Sequence, residues 1–541
     1  MRNPLRAGTV AAALTTAAVL PATAGAALTP SIDAGAKALP DTSWVPAAAV
    51  TAAGCDRWVR DSGDDANAGT AAAPWKTPAK ALAAATAGQT VCVGSGTYPM
   101  PASTSPARGG SATDPIALQG APGEQKPVLT GTADGELLDL RSGDNFWVLR
   151  DLKIDKRGNT GLSVRVIGAH HVALRNVDAI NGGEDALQVA GGSSDVDIQG
   201  GILANNYEGT PTDRQDAHGL IIEGLNINRV AMRGVETTGN SGDGVQCSAL
   251  DDDRYGYRTT QPADITIQDN TFHENAENAV DIKSCQRVTI GGSINPERPV
   301  KAAKQYFYGF RPTTNPGGNT SNGTAIVVHY AARGVLIENT RIWDACEAIA
   351  IGRPDDTVQD VVIRRVLIHS MKGETDFANC KGYGINVQHA QNVEIYHNSI
   401  DDTLRPALDL SGPSDSTTTQ SRGVRVWNNI LSGRGNRAVD LDTARTPGVE
   451  MNNNLFHAAT RQDRPLERND VALSLADWTA ASGGVLDTAS RVGAPDWITD
   501  KLTVDFYTRA ASPARDIGIA HGQFFCNGAP DAGFRESGCS S

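Results

Sequence analysis

The chain has 541 residues, with 48 Lys and Arg against 61 Asp and Glu, so its formal net charge at pH 7 is −13. This acidity argues against nucleic acid or an anionic membrane as a partner, because both require basic patches. After residue 26 no apolar run approaches the ~18 residues of a membrane-spanning helix. Aromatic residues make up only 5% of the chain and glycine occurs 57 times, which is typical of many short strands joined by tight turns.

The N-terminus has the pattern of a secretory signal. Arg2 and Arg6 form a basic start, residues 11–20 are apolar, and residues 24–26 form a small-residue cleavage site. We therefore expect a signal peptide over 1–26 and a secreted, extracellular protein. Residues 27–53 are rich in Ala, Pro and Thr and are predicted to be a flexible leader.

The chain contains eight cysteines, and an even number in an exported protein predicts disulfides. No CxxC motif and no Cys/His cluster with zinc spacing occurs, so a structural zinc is not expected. Sequence position favours the pairs Cys55–Cys92, Cys346–Cys380 and Cys526–Cys539, which leaves Cys247 and Cys285 over.

An internal repeat organises the middle of the chain. One strand type reads Val-x-Ile-x-x-Asn, with clear copies at 265–270, 393–398, 424–429 and 449–454. It alternates with a second type, in which a small residue precedes apolar-x-apolar-x. The copies of the second type lie at 161–165, 186–190, 219–223, 244–248, 279–283, 325–329, 348–352, 384–388, 407–411 and 438–442.

A parallel β-solenoid accounts for this repeat. Helical repeats would need a 3.6-residue period, which is absent, and leucine-rich repeats would need their Leu/Asn consensus. Apolar residues of successive coils would stack into a core, and the turn asparagines would form hydrogen-bonded ladders. We predict an all-β fold of about ten to eleven coils. Residues 54–145 would form the N-terminal cap and first coils, 146–459 the solenoid, and 460–541 the C-terminal coil and cap.

Several segments resemble one class of proteins. The stretch that begins Cys55-Asp-Arg-Trp-Val-Arg and the stretch Thr90-Val-Cys-Val-Gly-Ser-Gly-Thr-Tyr98 are similar to the opening of secreted right-handed parallel β-helix proteins, and 511–518 is similar to their closing segment. Polysaccharide lyases of the pectate lyase superfamily are the best-known members. The resemblance implies a right-handed parallel β-helix. It only suggests the activity, because non-enzymatic β-helices share the fold.

The second strand type predicts which side chains face outward from one sheet. Equivalent residues of neighbouring coils should lie ~4.8 Å apart. Lys283 is therefore expected between Ser248 and His329, with Asp281 beside it on its own strand. His218 stands in the turn that precedes the same sheet. We predict Lys283, His329 and His218 as the catalytic residues.

Long insertions are expected to wall a groove over this sheet. They span 206–217, 250–263 and 295–322, and the last two are rich in aromatic and basic residues. Such side chains suit an extended anionic sugar chain. The predicted substrate-binding residues are Arg353, Gln246, Glu223, Tyr255, Tyr257 and Arg311. Asp216, Asp243 and Asp281 are predicted to bind Ca²⁺, a hard cation that clustered carboxylates hold.

A local similarity supports the choice of Lys283. The stretch Asp281-Ile-Lys283-Ser284 is similar to the lysine-serine segment of the alginate lyase and chondroitinase B family, and 323–329 looks like that family's next-coil segment. The resemblance implies that Lys283 is a base and His329 its neighbour. Val328 stands where the family has an arginine, and Arg353 on the following coil is the candidate replacement.

The predicted reaction is β-elimination on a uronic-acid-containing polysaccharide. Ca²⁺ or arginine would neutralise the uronate carboxylate, and a lysine whose pKa is lowered toward ~7–8 would remove the C5 proton. Three alternatives stay open: an inverting glycosidase that uses a carboxylate pair, a non-catalytic carbohydrate-binding or surface protein, and a C5-epimerase. No tight aspartate pair is apparent on the outer strand face. A capped solenoid of this kind is expected to be a monomer.

Overall fold

The computed structural model describes residues 32–48, 51–210, 213–249, 260–292, 305–314, 320–352, 357–412, 420–498, 507–520 and 529–535. Over these ranges the chain winds into a right-handed parallel β-helix, which confirms the predicted fold class. Each full coil supplies one strand to each of three sheets. We call the sheet that carries Lys283 sheet 1, the sheet that follows it along the chain sheet 2, and the remaining one sheet 3.

Sheet 1 consists of twelve parallel strands and one antiparallel strand at its C-terminal end, counted over the described ranges. We predicted ten to eleven coils, which is fewer than these twelve parallel strands. The first and the last parallel strand lack the small-residue repeat on which the prediction was based. The strands are Leu138–Arg141, Val164–Ile167, Leu187–Ala190, Leu220–Glu223, Val245–Ser248, Val280–Lys283, Thr324–His329, Glu347–Ile351, Tyr383–Val387, Leu408–Leu410, Val439–Leu441, Leu466–Arg468 and the antiparallel Val471–Leu473.

Sheets 2 and 3 are joined by two long strands, Arg333–Ala345 and Val358–His369, that run through both. The other strands of sheet 2 are Arg57–Val59, Thr90–Val93, Ile116–Gly120, Trp147–Arg150, His170–Arg175, Ser194–Gln199, Asn228–Arg233, Ala263–Gln268, Gln286–Gly291, Ala390–Tyr396, Arg422–Trp427 and Glu450–Asn452. Those of sheet 3 are Thr97–Met100, Val128–Gly131, Lys153–Asp155, Asp178–Ile180, Ile202–Ala204, Glu236–Thr238, Thr271–His273, Gln305–Phe310, Ser399–Thr403, Ile430–Gly433, Leu455–Ala458 and Arg491–Val492.

Three two-stranded hairpins lie outside the coils, and the first two of them lie in predicted insertions. They are Glu208–Thr210 with Asp213–Gln215, Pro312–Thr314 with Thr320–Asn322, and Trp497–Ile498 with Tyr507–Thr508.

Short helices lie near both ends of the solenoid. Helix Pro78–Ala84 begins at Thr77, whose side chain caps Lys80 N–H, and packs Leu82 against the first coils. Helix Leu475–Ala481 buries Trp478 at the other end of the same core. Covering the terminal coils in this way protects apolar surface and sheet edges. No helix among the described residues is long and apolar enough to cross a membrane.

The interior is a continuous column of apolar side chains. Val280, Ile282, Ile326 and Val328 are fully buried in it. The intervening residues of these strands point away from the core, because side chains alternate along a strand. This confirms the predicted inward and outward faces of sheet 1.

Turn asparagines stack into the predicted ladder. The backbone and side-chain N–H groups of Asn398 both donate to Oδ1 of Asn429 at 3.0 Å, and those of Asn429 donate to Oδ1 of Asn454 at 3.0 and 3.1 Å. Asn270 occupies the equivalent turn of an earlier coil and accepts from Val235 N–H at 2.9 Å. These buried amides pair backbone groups that the turn would leave unsatisfied, so their role is structural.

Three disulfides link neighbouring coils: Cys55–Cys92, Cys247–Cys285 and Cys346–Cys380. Cys55–Cys92 and Cys346–Cys380 are the pairs predicted from sequence position, and Cys247–Cys285 joins the two cysteines that were left over. The expected Cys526–Cys539 pair lies outside the described residues. Disulfides of this number are typical of proteins that fold in an oxidising compartment.

Residues 32–48 lie along the outer face of sheet 2, although the sequence predicted a flexible leader there. Lys37 N–H donates to Asp264 Oδ1 at 2.9 Å, and Pro46 O accepts from the Arg150 guanidinium at 2.8 Å. Trp44 is 6% exposed and packs on Ala117, Val148 and Ala173 of sheet 2. We call residues 32–48 the N-terminal strap.

Candidate active site

The outer face of sheet 1 has the register that the repeat predicted. Gln246 lies opposite Asp281, and Lys283 lies opposite His329 on the next coil. Ser248 ends the preceding strand and continues the same column. The regular strand pairing therefore brings one lysine, one histidine, one carboxylate and one amide together on three consecutive coils.

Lys283 is held by two side chains of this face. Its Nζ donates to Gln246 Oε1 at 2.5 Å and lies 3.5 Å from Asp281 Oδ2, and its side chain is 26% exposed. Burial acts to lower the pKa of Lys283, but the carboxylates of Asp281, Asp243 and Glu277 outweigh it and raise that pKa. The expectation of a lowered pKa was therefore wrong for the free protein, because the surrounding charges are negative. Lys283 is an ammonium ion at neutral pH.

Asp281 connects Lys283 to His329. One carboxylate oxygen faces the lysine, and the other, Oδ1, lies 2.8 Å from Nε2 of His329. Both Asp281 and His329 point outward from the strand, yet they are 4% and 2% exposed. The sequence identified their direction correctly, but not that they are covered. His329 therefore reaches Lys283 through Asp281.

The turn before sheet 1 carries a second ladder, in which each side chain accepts a backbone N–H of the next coil. Asp185 Oδ1 accepts from His218 at 2.6 Å, and His218 Nδ1 accepts from Asp243 at 2.8 Å. Asp243 Oδ1 accepts from the backbone and side chain of Asn278 at 2.9 and 2.8 Å. His218 and Asp243 are thus parts of the scaffold, like the turn asparagines.

Burial sets the protonation of this ladder. It lowers the pKa of His218 to about 3, and the charge of Lys283 adds to the effect, so His218 is neutral at physiological pH. Burial raises the pKa of Asp243 well above its usual range and that of Asp185 to about 8. His218 uses Nδ1 as an acceptor, which leaves the proton on Nε2.

The predicted calcium ligands do not come together as a set. Asp243 is buried and bonded to Asn278, and Asp281 lies between Lys283 and His329. Asp216 is half-buried in the hairpin region. Within the described ranges no three His, Cys, Asp or Glu side chains are placed to hold a metal ion. Calcium binding therefore stays a prediction.

The predicted substrate-binding residues have different positions. Gln246 contacts Lys283, and Glu223 ends the strand two coils before it. Arg311 already has partners within the fold. Its guanidinium pairs with Asp344 at 2.6 Å and lies over the ring of Phe377 at 4.6 Å. Arg353, Tyr255 and Tyr257 lie outside the described residues.

Two residues near Lys283 were missed by the sequence reading. Glu277 lies in the turn before the lysine strand and raises the pKa of Lys283. Tyr330 directly follows His329, and its ring stacks on the imidazole with centroids 4.1 Å apart. Neither stands in the outward columns of the repeat, so strand periodicity carried no signal for them.

A pair of outward aspartates also corrects the sequence reading, which found none. Asp409 and Asp440 are opposite each other on neighbouring strands of sheet 1, and Glu467 follows Asp440 on the next. Asp409 accepts from the backbone and hydroxyl of Ser411, and Asp440 pairs with Arg437 at 2.5 Å. Both aspartates therefore already have partners within the fold.

Two family models match the chain. A Pel9A-like right-handed β-helix region matches residues 57–284, and a right-handed β-helix region matches residues 319–480. Together with the coil architecture they define the class of protein as a right-handed parallel β-helix. Both matches are to right-handed β-helix regions, and the one over residues 57–284 is Pel9A-like. No curated protein sequence matches it.

Solved structures with a similar fold have low sequence identity. Pectate lyase Pel9A is 14% identical, with 89% of this chain and 96% of that chain covered and a TM-score of 0.45. A mannuronic-acid-specific polysaccharide family 6 lyase from human gut microbiota is 14% identical, with 74% and 90% covered and a TM-score of 0.44. The GH136 lacto-N-biosidase from Eubacterium ramulus is 12% identical, with 77% and 68% covered and a TM-score of 0.40.

Proposed function

We propose that the protein is an exported polysaccharide lyase that cleaves a uronic-acid-containing polysaccharide by β-elimination, with Lys283 as the base. The observation that carries the proposal is the placement of Lys283. It points outward from a strand inside a continuous sheet, and Gln246 and Asp281 fix its amine. A side chain held this way on a rigid element keeps the geometry that proton abstraction requires. The Pel9A-like match over 57–284 includes this strand and supports the same class.

The first chemical requirement is an unprotonated amine. The carboxylates around Lys283 raise its pKa, so the neutral form is a small fraction at neutral pH and grows tenfold with each pH unit. The lysine-dependent rate is therefore expected to rise toward alkaline pH. A substrate carboxylate that binds the Lys283 ammonium would stabilise the protonated amine, which cannot act as a base. Such binding would strengthen the dependence of the rate on pH.

The second requirement is a fixed direction for the amine. Gln246 accepts one N–H, and Asp281 is placed to accept another. With both N–H groups of the neutral amine used in this way, the lone pair of Nζ is left to accept the C5 proton of a bound uronate. His329 in turn contacts Asp281 Oδ1, so the carboxylate is oriented on both sides. Gln246, Asp281 and His329 are accordingly positioning residues.

A panel of uronans tests the proposal. Pectate, alginate and glycosaminoglycans are each incubated with the protein at neutral and alkaline pH, with and without chelator, and with Lys283→Ala as the control. Growth of ultraviolet absorbance from the unsaturated product, absent in Lys283→Ala, is the expected result. New reducing ends without absorbance would instead identify a hydrolase, and silence on every uronan would favour a binding protein. The chelator arm tests the separate prediction of Ca²⁺ dependence.

A further inference from the structure

A lyase must also return a proton to the leaving oxygen, and Lys283 cannot do both steps at once. His329 is 2% exposed and faces Asp281, so its imidazole does not reach a substrate bound over Lys283. The position that carries arginine in the similar family is Val328 here, and that side chain is fully buried in the core. The described site therefore needs another acid.

Tyr330 has the required placement. It follows the strand Thr324–His329, whose last residue lies opposite Lys283. Its backbone is left-handed, with φ of 52°, which turns the ring back so that it stacks on the His329 ring at 4.1 Å. The same left-handed conformation recurs at other turns of the described coils, for example at Phe146 and His171, so here it serves to direct the ring. The ring is half-buried and belongs to the coil that follows the coil of the amine.

The Tyr330 hydroxyl differs from those of the buried tyrosines. Tyr98 donates to Gly94 O at 2.9 Å, and Tyr396 accepts from Arg364 at 3.2 Å. Within the described part of the chain the Tyr330 hydroxyl has no hydrogen-bond partner, although it is close enough to Lys283 to act on it electrostatically. A half-buried phenol that is fixed by stacking and has no hydrogen-bond partner among the described residues is available to a ligand.

We propose that the Tyr330 hydroxyl is the general acid that protonates the leaving oxygen, an inference that rests on the proposed lyase function. Neutral Lys283 takes the C5 proton, and the freed electron pair forms the C4–C5 double bond. The C4–O4 bond breaks with its electron pair on O4, and the Tyr330 proton moves to O4. The resulting tyrosinate then takes the proton from the Lys283 ammonium, directly or through one water, which restores both groups.

Leaving-group chemistry tests this assignment. Tyr330→Phe keeps the ring on His329 and removes only the hydroxyl. It is assayed on the uronan found active in the panel and on a synthetic uronate whose C4 oxygen carries a nitrophenyl group, which leaves without protonation. Tyr330→Phe should lose about 10²–10⁴-fold in kcat on the polymer and less than about tenfold on the nitrophenyl substrate. Lys283→Ala should lose activity on both substrates.

Tyr383→Phe is the matched control. Tyr383 begins a strand of the same sheet two coils beyond Tyr330, and its loss should change neither rate. A Tyr330→Phe enzyme within about threefold of wild type on the polymer would overturn the assignment. Equal losses on both substrates would also overturn it and leave Tyr330 as a support for His329.

A measurement on the wild-type protein covers the case in which Tyr330→Phe does not fold. The solvent deuterium isotope effect should be larger on the polymer than on the nitrophenyl substrate, because only the polymer needs the proton from Tyr330. Equal isotope effects would contradict the proposal. A wild-type protein that forms no unsaturated product from any uronan would instead refute the lyase function itself, and this inference with it.

Discussion

The outer face of sheet 1 carries acidic side chains in two regions that share one register but differ in their cation. In the first region Asp281 faces Lys283 at 3.5 Å. The second region, four to six coils further on, consists of Asp409, Asp440 and Glu467. Asp440 and Glu467 each lie 2.5 Å from the guanidinium of Arg437. Arginine stays protonated, whereas lysine can give up its proton when its surroundings change. The same scaffold therefore builds a fixed ion cluster in one place and a group able to exchange protons in the other.

The side chains that surround the carboxylates also differ between the two regions. Among the described residues, the carboxylates of the second region are held by Arg437 and by Ser411. The first region adds a histidine and a stacked tyrosine to its carboxylate. Acidic residues on a β-helix face are thus not by themselves a sign of catalysis. The identity of the cation and its neighbours makes the distinction.

The strongest test of this comparison is Lys283→Ala. Turnover should fall by about 10²–10⁴-fold, the usual contribution of a general base. Folding should change little, since a partly exposed ion pair contributes ~0–1 kcal/mol. Initial rates and a melting curve measure both. Retained lyase activity with a normal melting curve would remove Lys283 from the mechanism, and Lys283→Arg should fail like the alanine variant because arginine stays protonated.

Asp281→Asn is expected to move the pH dependence. Asp281 is the nearest carboxylate that raises the pKa of Lys283, so its neutralisation lowers that pKa and makes the free amine available at lower pH. The rising limb of kcat/KM should shift by about one unit toward neutral pH. Asp440→Asn, the matched change in the second region, should leave the profile where it is. An unshifted profile for Asp281→Asn would show that another group controls the rate.

The contributions of His218 and Asp409 to stability should change with pH in opposite directions. His218 has a pKa of about 3 in the folded protein, below its ordinary value of 6.5, so its contribution is present above ~6.5 and is lost as the pH falls toward 3. The loss is on the order of 5 kcal/mol. His218→Asn keeps an acceptor for Asp243 N–H and should flatten the fall of the melting temperature between pH 6.5 and about 4. An unchanged slope would contradict a buried neutral imidazole.

Asp409 should show the reverse behaviour. Burial raises its pKa to about 6, so its contribution is complete below the unfolded value of ~3.9 and is lost as the pH rises through 6. The change is on the order of 2–3 kcal/mol. Asp409→Asn should therefore lessen the decline of the free energy of unfolding between pH ~4 and 6. Denaturant titrations at several pH values measure it, and a wild-type-like decline would show that Asp409 ionises freely.

The smallest effect is expected for Arg437→Gln. It removes the cation of the second region from Asp440 and Glu467 and should cost ~1 kcal/mol of stability, because these side chains are partly exposed. Lyase activity on a long uronan should not change. A tenfold rise in KM would place the second region in the substrate groove and remove the contrast between the two regions.

Strand periodicity was enough to predict the fold and the floor of the site. Since inward residues must stack at each coil, the small-residue repeat determined that Asp281, Lys283 and His329 share one outer face. The same repeat did not indicate protonation, because the pKa of Lys283 also depends on Glu277, which lies in a turn. Tyr330 was missed for a related reason: its left-handed backbone lies just after the strand, where periodicity no longer applies.

The N-terminal strap has a consequence for the order in which the molecule is completed. Its first residues, Ile32 and Ala34, pack with Tyr396, Trp427 and the C-terminal Ile519. Trp44, near the other end of the strap, packs instead on residues 117, 148 and 173 of early coils. A ribosome makes these early coils before it makes Tyr396 and Trp427, so the strap is expected to dock first at Trp44 and last at Ile32 and Ala34. A chain that stops before residue 396 would hold Trp44 and leave the start of the strap without these late contacts.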